Sequence, residues 1–349
     1  MTLPQTMHAI GAPCARATSD PAFLVEFETA VLEPAGNELL VEIMACAVNP
    51  VDTKVRRSLG EATLPVPRIL GWDAAGIVRT CGADVHDFAP GDEVFFAGAL
   101  GQPGCNAEFH CVDARLVARK PRTWNYVEAA AVPLVALTAW ELLFDRMGVD
   151  VHGANRGEAL LVINGAGGVG SALIPLAKHA GLRVIATASR PETTAWCEQL
   201  GADAVIDHHE FLRPQCEALG FSGFPWIANL HDPVATWPEM GHLLAPFGTV
   251  GLIVEPSAPL PLGDPLKAKC ARIAWEFMAA RTKYPDAQPE KLGEILTSIA
   301  QLCEIGVFPK LDRRVYAGLT VEHLRVCHIE MEQSRAIGKW VIDLKRNEA

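Results

Sequence analysis

The sequence predicts an α/β protein, in which a doubly wound parallel sheet is inserted into a second, β-rich domain. Three observations predict this. Short alternating or β-branched runs punctuated by Gly, Pro and Asp fill the first third of the chain; from about Glu128 strand and helix patterns alternate; and the tail returns to the pattern of the first third. A chain of 349 residues exceeds one ordinary domain, so two domains with an active-site cleft between them are expected.

From Leu24 to Val117 the runs Leu39-Leu40-Val41-Glu42-Ile43, Gly76-Ile77-Val78 and Asp92-Glu93-Val94-Phe95-Phe96 are separated by Glu33-Pro34-Ala35-Gly36 and Ala89-Pro90-Gly91-Asp92. Short strands joined by tight turns make a mostly antiparallel sheet. Leu134, Leu137, Leu142 and Leu143 then recur at helical spacing in an Ala-rich stretch. Beyond it, residues 159–164, 183–188, 204–206, 226–230 and 249–254 read as strands, and 168–180, 193–200 and 235–244 as helices. Apolar strands separated by helices imply a parallel sheet buried on both faces. The proline-rich 256–265 reads as a loop and 290–305 as an amphipathic helix. The tail carries strands at 314–316 and 339–344 around a helix over 321–334.

Composition narrows the function. Half the residues are hydrophobic and a fifth are charged, enough to fill two globular cores. The formal charge is -11 and no basic stripe relieves it, which argues against nucleic acid or an anionic membrane as partner. No charged leader and no run of about 18 apolar residues appears, so a cytoplasmic protein is expected. The ten cysteines include no C-x-x-C pair and read as mostly buried free thiols.

The strongest chemical signal is Leu160-Leu161-Val162-Ile163-Asn164-Gly165-Ala166-Gly167-Gly168-Val169-Gly170, a G-x-G-x-x-G between a hydrophobic strand and a helix. Gly165 permits the tight turn, Gly167 lets backbone approach a pyrophosphate, and Gly170 lets helix pack on strand; Gly168 and Val169 open the helix whose N-terminus faces the phosphates. Pro175 falls inside that helix and should kink it or remove a hydrogen bond. NAD-binding chains place an acid at the end of the second strand, about 20 residues on. Here the stretch is Thr187-Ala188-Ser189-Arg190, and Ser189 and Arg190 suit a 2′-phosphate, so NADPH is the expected cofactor.

The chain resembles the medium-chain dehydrogenase/reductase superfamily from end to end, and its quinone oxidoreductase side most. The residues that carry the resemblance are Asn49-Pro50-Val51-Asp52-Thr53-Lys54, Gly71-Trp72-Asp73-Ala74-Ala75-Gly76, Pro90-Gly91-Asp92-Glu93-Val94, Ala129-Ala130-Ala131-Val132-Pro133-Leu134 and Gly338-Lys339. Leu70-Gly71-Trp72-Asp73, Thr138-Ala139-Trp140-Glu141 and Thr187-Ala188-Ser189-Arg190-Pro191-Glu192 are similar to a subgroup called zinc-type alcohol dehydrogenase-like proteins. The resemblance implies a GroES-like catalytic domain over 1–130 and 310–349, a Rossmann NADPH-binding domain over 131–309, and a homodimer. Zinc-using relatives carry Cys where this chain has Asn49 and His-Glu where it has Trp72-Asp73, so no zinc is expected. His323, Cys327 and His328, or His208-His209 with Cys216, make no recognisable ligand set.

Without zinc, the resemblance implies hydride transfer to a quinone or an α,β-unsaturated carbonyl, with a donor aimed at the carbonyl oxygen. Lys54 is the first candidate donor, since related enone reductases place a lysine there; an exposed solvated lysine is the alternative. Asn49 donates from the same loop or caps it. Trp72 and Trp275 are expected to wall the substrate. By resemblance Thr138 approaches the nicotinamide, His208 stands near the adenosine phosphate, and Lys339 lies on the cofactor side. A zinc alcohol dehydrogenase and a catalytically idle NADPH-binding protein are the competing readings.

Overall fold

The run Ala159–Ile163 is buried at every residue, as a central strand covered on both faces must be. In the computed structural model, which describes residues 3–284, 286–333 and 336–345, this run is strand β1 of a six-stranded parallel sheet. The others are β2 (Arg183–Thr187), β3 (Ala204–Ile206), β4 (Phe224–Asn229), β5 (Leu244–Leu252) and β6 (Arg272–Trp275). Their spatial order is β3-β2-β1-β4-β5-β6, the doubly wound arrangement that reverses direction between β1 and β4 and opens a ligand crevice at the carboxyl ends of those strands. Leu161, Ile163, Ile185, Phe224, Ile227, Met240 and Val250 share one apolar core. Strand β6 is legible only in the structure: four residues at a sheet edge, Arg-Ile-Ala-Trp, are too few to show a period.

The helix Gly168–His179 follows β1 directly and runs as one element through Pro175, which is buried. Proline there has no N–H for the Ser171 carbonyl, and the helix continues past it. This sheet and its helices form one compact unit, Val135–Met278 with Gly306–Pro309.

The other unit comprises the chain up to Leu134, Ala279–Ile305 and the chain from Lys310. Its main sheet places Asp312–Ala317, Lys339–Asp343, Glu38–Val48, Asp73–Cys81, Glu93–Ala97 and Val117–Arg119 side by side, with Phe109–Asp113 also pairing with Glu38–Val48. All pairings are antiparallel except Asp312–Ala317 with Lys339–Asp343, which the helix Val321–Glu332 joins as a parallel crossover. The C-terminal turn predicted for that helix reaches Ser334, outside the described residues.

One segment departs from the expected division. The helix Glu290–Glu304 falls in the span predicted for the nucleotide domain, yet it packs on Ala114–Leu116 and Val117–Arg119 of the β-rich unit. Gly293 makes this possible, because a Cβ there would lie 2.6 Å from the Arg115 carbonyl oxygen. The helix Pro50–Ser58, also absent from the predicted elements, starts on Pro50, while the Asp52 carboxylate accepts the Asn49 N–H at 2.7 Å. The ten cysteines are unpaired, and seven are buried. No helix among the described residues is long and apolar enough to cross a membrane.

Candidate active site

Two sets of residues carry chemistry, one in each unit. In the nucleotide unit, Asn164 leaves β1 at φ 66° and begins the glycine loop. A Cβ on Gly170 would lie 2.3 Å from the Gly165 carbonyl oxygen, and one on Gly165 would lie 2.9 Å from the Ala186 Cβ. Both positions therefore exclude side chains. Around Gly167 the nearest atom is Asn164 Nδ2 at 3.5 Å, so its surface is open, and Gly167, Gly168 and Val169 are only half-buried. Free N–H groups, a helix N-terminus and open space make a cradle that fits a pyrophosphate.

Beside the loop, the buried Thr187 at the end of β2 accepts the Asn164 N–H on Oγ1 at 3.0 Å and meets His208 Nδ1 at 3.2 Å. His208 follows β3; burial, with neighbouring His209, lowers its pKa below the ordinary histidine value. Ser189 and Arg190 follow Thr187 and are half-buried, with Arg190 Nε 3.3 Å from Glu192. Glycine loop, Thr187, Ser189, Arg190 and His208 thus gather at the carboxyl ends of β1, β2 and β3. Thr138 is buried in the helix Pro133–Trp140. Trp275 stands apart, on edge strand β6, 47% exposed and flanked by exposed Ile273 and Phe277.

In the β-rich unit, three strands end together. Lys339 opens its strand, Asn49 follows Val48 at the end of the neighbouring strand, and Asp73 opens the next one. All three side chains are buried: Asp73 is 0%, Asn49 1% and Lys339 2% exposed. Lys339 Nζ donates to Asn49 Oδ1 at 2.5 Å, to Asp73 Oδ2 at 2.7 Å and to the Val48 carbonyl at 3.3 Å. Asn49 Nδ2 donates to Asp73 Oδ2 at 2.7 Å, and Asp73 Oδ1 accepts the Leu134 N–H at 2.6 Å. Burial pushes the adjacent Asp52 up to about 7.

Lys339, expected on the cofactor side, therefore directs all three of its protons at protein oxygens. Asn49 neither caps its helix through its side chain nor stands free. Trp72 is fully buried, and its indole N–H is committed to the Ala99 carbonyl at 3.1 Å. Lys54 is exposed on the helix Pro50–Ser58. Asp73 and Thr187 went unrecognised as site residues in the sequence; their short motifs were visible, but burial and partners belong to the fold. A groove of about 850 Å³ in this unit, between the 84–93 turn and the helix Glu290–Glu304, includes none of the residues above.

This donor set does not fit zinc. Trp72 has no lone pair to give, the Asn49 oxygen faces an ammonium, and both Asp73 oxygens already accept from nitrogen. Among the described residues no group of three or more His, Cys, Asp or Glu is arranged to hold a metal ion.

A doubly wound nucleotide-binding sheet combined with a β-rich unit of this topology defines a two-domain oxidoreductase. The alcohol dehydrogenase GroES-like domain matches residues 35–122 and the zinc-binding dehydrogenase domain residues 168–279. A zinc-type alcohol dehydrogenase-like protein of Staphylococcus epidermidis is 37% identical over 97% of this chain and 100% of its own. The NADPH-dependent alkenal/one oxidoreductase of Arabidopsis thaliana chloroplasts is 38% identical over 53% of this chain and 48% of its own. The structure of a putative zinc-dependent alcohol dehydrogenase from Rhizobium etli superposes with a TM-score of 0.91 at 39% identity, covering 97% of this chain and 98% of that one. The chain belongs to the medium-chain dehydrogenase/reductase superfamily, in its quinone oxidoreductase-like branch.

Proposed function

We propose that the protein is an NADPH-dependent reductase that transfers hydride to a quinone or an α,β-unsaturated carbonyl without a metal. The observation that carries this reading is the Asn49–Asp73–Lys339 cluster, in which an amide N–H, backed by an ammonium committed to protein oxygens, stands where a metal would need lone pairs. A carbonyl oxygen that gains negative charge is stabilised by N–H donors as well as by a Lewis acid, and a conjugated acceptor needs no stronger polarisation. The partial relative with an NADPH-dependent alkenal/one activity supports the same reaction class.

The nicotinamide cofactor supplies the hydride; the chain's own groups bind and orient. The glycine loop and the helix that starts at Gly168 hold the pyrophosphate, Ser189 and Arg190 take the 2′-phosphate, and His208 borders the adenosine. Thr138 faces the nicotinamide. Asn49 donates to the substrate oxygen, and Lys54 is a second donor from the exposed face of the helix Pro50–Ser58. The unpaired cysteines suit a reducing cytoplasm.

Trp275 takes a different role in this reading. With Ile273 and Phe277 it leaves an apolar strip along the unpaired edge of β6, and a second copy of the chain pairing there makes a homodimer. The function is tested by oxidation of NADPH and NADH on a panel of small quinones and enones. Turnover that favours NADPH by about tenfold or more supports the reading; a preference for NADH or for simple alcohols overturns it.

A further inference from the structure

We propose that Lys339 is a positioning residue: its ammonium, held by Asp73, acts as an internal cation that locks the Asn49 carboxamide with one N–H left for the substrate oxygen. This rests on the reductase reading and extends it to a group outside the substrate's reach. The topology supplies the starting point, since neighbouring strands bring the first residue of one, the residue after another and the first residue of a third to a common end.

Hydrogen-bond chemistry then fixes the orientation. A lysine ammonium donates only, so the Asn49 atom 2.5 Å from Nζ must be the oxygen. A carboxylate accepts only, so the nitrogen must face Asp73 Oδ2, as it does at 2.7 Å. Asp73 is itself anchored by the Leu134 N–H on its other oxygen, which prevents it from swinging away. One proton of Asn49 Nδ2 then has no protein partner among the described residues, on a side chain only 1% exposed. A buried amide proton of this kind is costly unless a ligand accepts it. Lys339 has no proton left for a cofactor phosphate or for the nicotinamide, because Asn49, Asp73 and Val48 take all three.

The test is a mutant cycle on the full chain: Lys339→Met, Asp73→Asn and the double variant. Each is read by thermal melting, by NADPH dissociation constant from nucleotide fluorescence, and by kcat and KM on 2-cyclohexen-1-one. Lys339→Met alone leaves Asp73 buried and uncompensated, so it is expected to melt well below wild type, and the double variant to recover part of that loss. In the double variant kcat should stay about tenfold or more below wild type, with the NADPH constant within about twofold, because the carboxamide is no longer locked. A tenfold or greater rise in the NADPH constant with unchanged kcat would make Lys339 a cofactor ligand and overturn the proposal. So would a double variant with wild-type kcat. If wild type turns over no acceptor, the reductase reading fails and the positioning role with it. A turnover-competent wild type whose variants shift only NADPH affinity defeats the positioning role alone.

Discussion

Thr187 Oγ1 lies 3.2 Å from His208 Nδ1 while accepting the amide proton of Asn164, so one buried hydroxyl ties the glycine loop to the histidine after β3. Thr187→Val keeps the shape and removes both bonds. An isolated buried amide then loses its acceptor, at a cost of about 1–3 kcal/mol. NADPH affinity, measured by fluorescence titration, is expected to fall by about tenfold or more while melting changes by only a few degrees. Unchanged affinity would detach Thr187 from the nucleotide site.

Arg190 decides between nucleotides in this account. Its guanidinium is half-exposed at the end of β2, with Glu192 as a weak neighbour 3.3 Å away. Arg190→Ala should raise the NADPH dissociation constant by about tenfold and leave that for NADH within about twofold, since only one ligand carries the extra phosphate. Parallel titrations of both nucleotides measure the ratio.

His328 is buried against Phe23, with ring centroids 6.0 Å apart, and neither ring nitrogen has a partner among the described residues. Burial, with Arg56 beside it, pushes its pKa down to about 3; burial likewise pushes His110 to about 4. Below the unfolded value of about 6.5 the unfolded chain binds protons that the native chain refuses, so stability falls as pH drops through that window. His328→Leu should raise stability by about 1 kcal/mol at pH 7. It should also flatten the loss between about pH 6 and 4 by up to roughly 1.4 kcal/mol per pH unit. Urea melts at several pH values read both effects.

The edge of β6 predicts an assembly. Ile273 and Trp275 stand at alternate positions of this strand, Phe277 follows two residues after its end, and each is more than a third exposed. Light scattering should find a dimer, and Trp275→Glu should move it toward monomer with NADPH binding retained. A wild-type monomer at micromolar concentration would contradict the edge-pairing reading.

The sequence made the nucleotide loop legible because its chemistry is local. Gly165, Gly167 and Gly170 act through backbone geometry set within a few residues, and the strand and helix around them are long enough to show their periods. The buried cluster is different. Asn49, Asp73 and Lys339 are far apart in the chain, and a buried lysine reads the same as a surface one until strand order puts the three ends together. Only the family resemblance sets Lys339 on the cofactor side, and the letter of Trp275 does not distinguish a residue that walls a substrate from one at a sheet edge. The helix Glu290–Glu304 has a clear amphipathic period, but nothing in that period says which domain it covers; Gly293 against Arg115 decides it.

Hydride transfer to a conjugated acceptor without a metal is tested by turnover of chelator-treated protein. NADPH oxidation with 2-cyclohexen-1-one and with a small quinone is followed before and after adding back zinc, with bound metal measured in the same sample. Activity at substoichiometric metal, not increased by zinc, is the expected result. Activity that appears only with zinc, and on a simple alcohol, would contradict it.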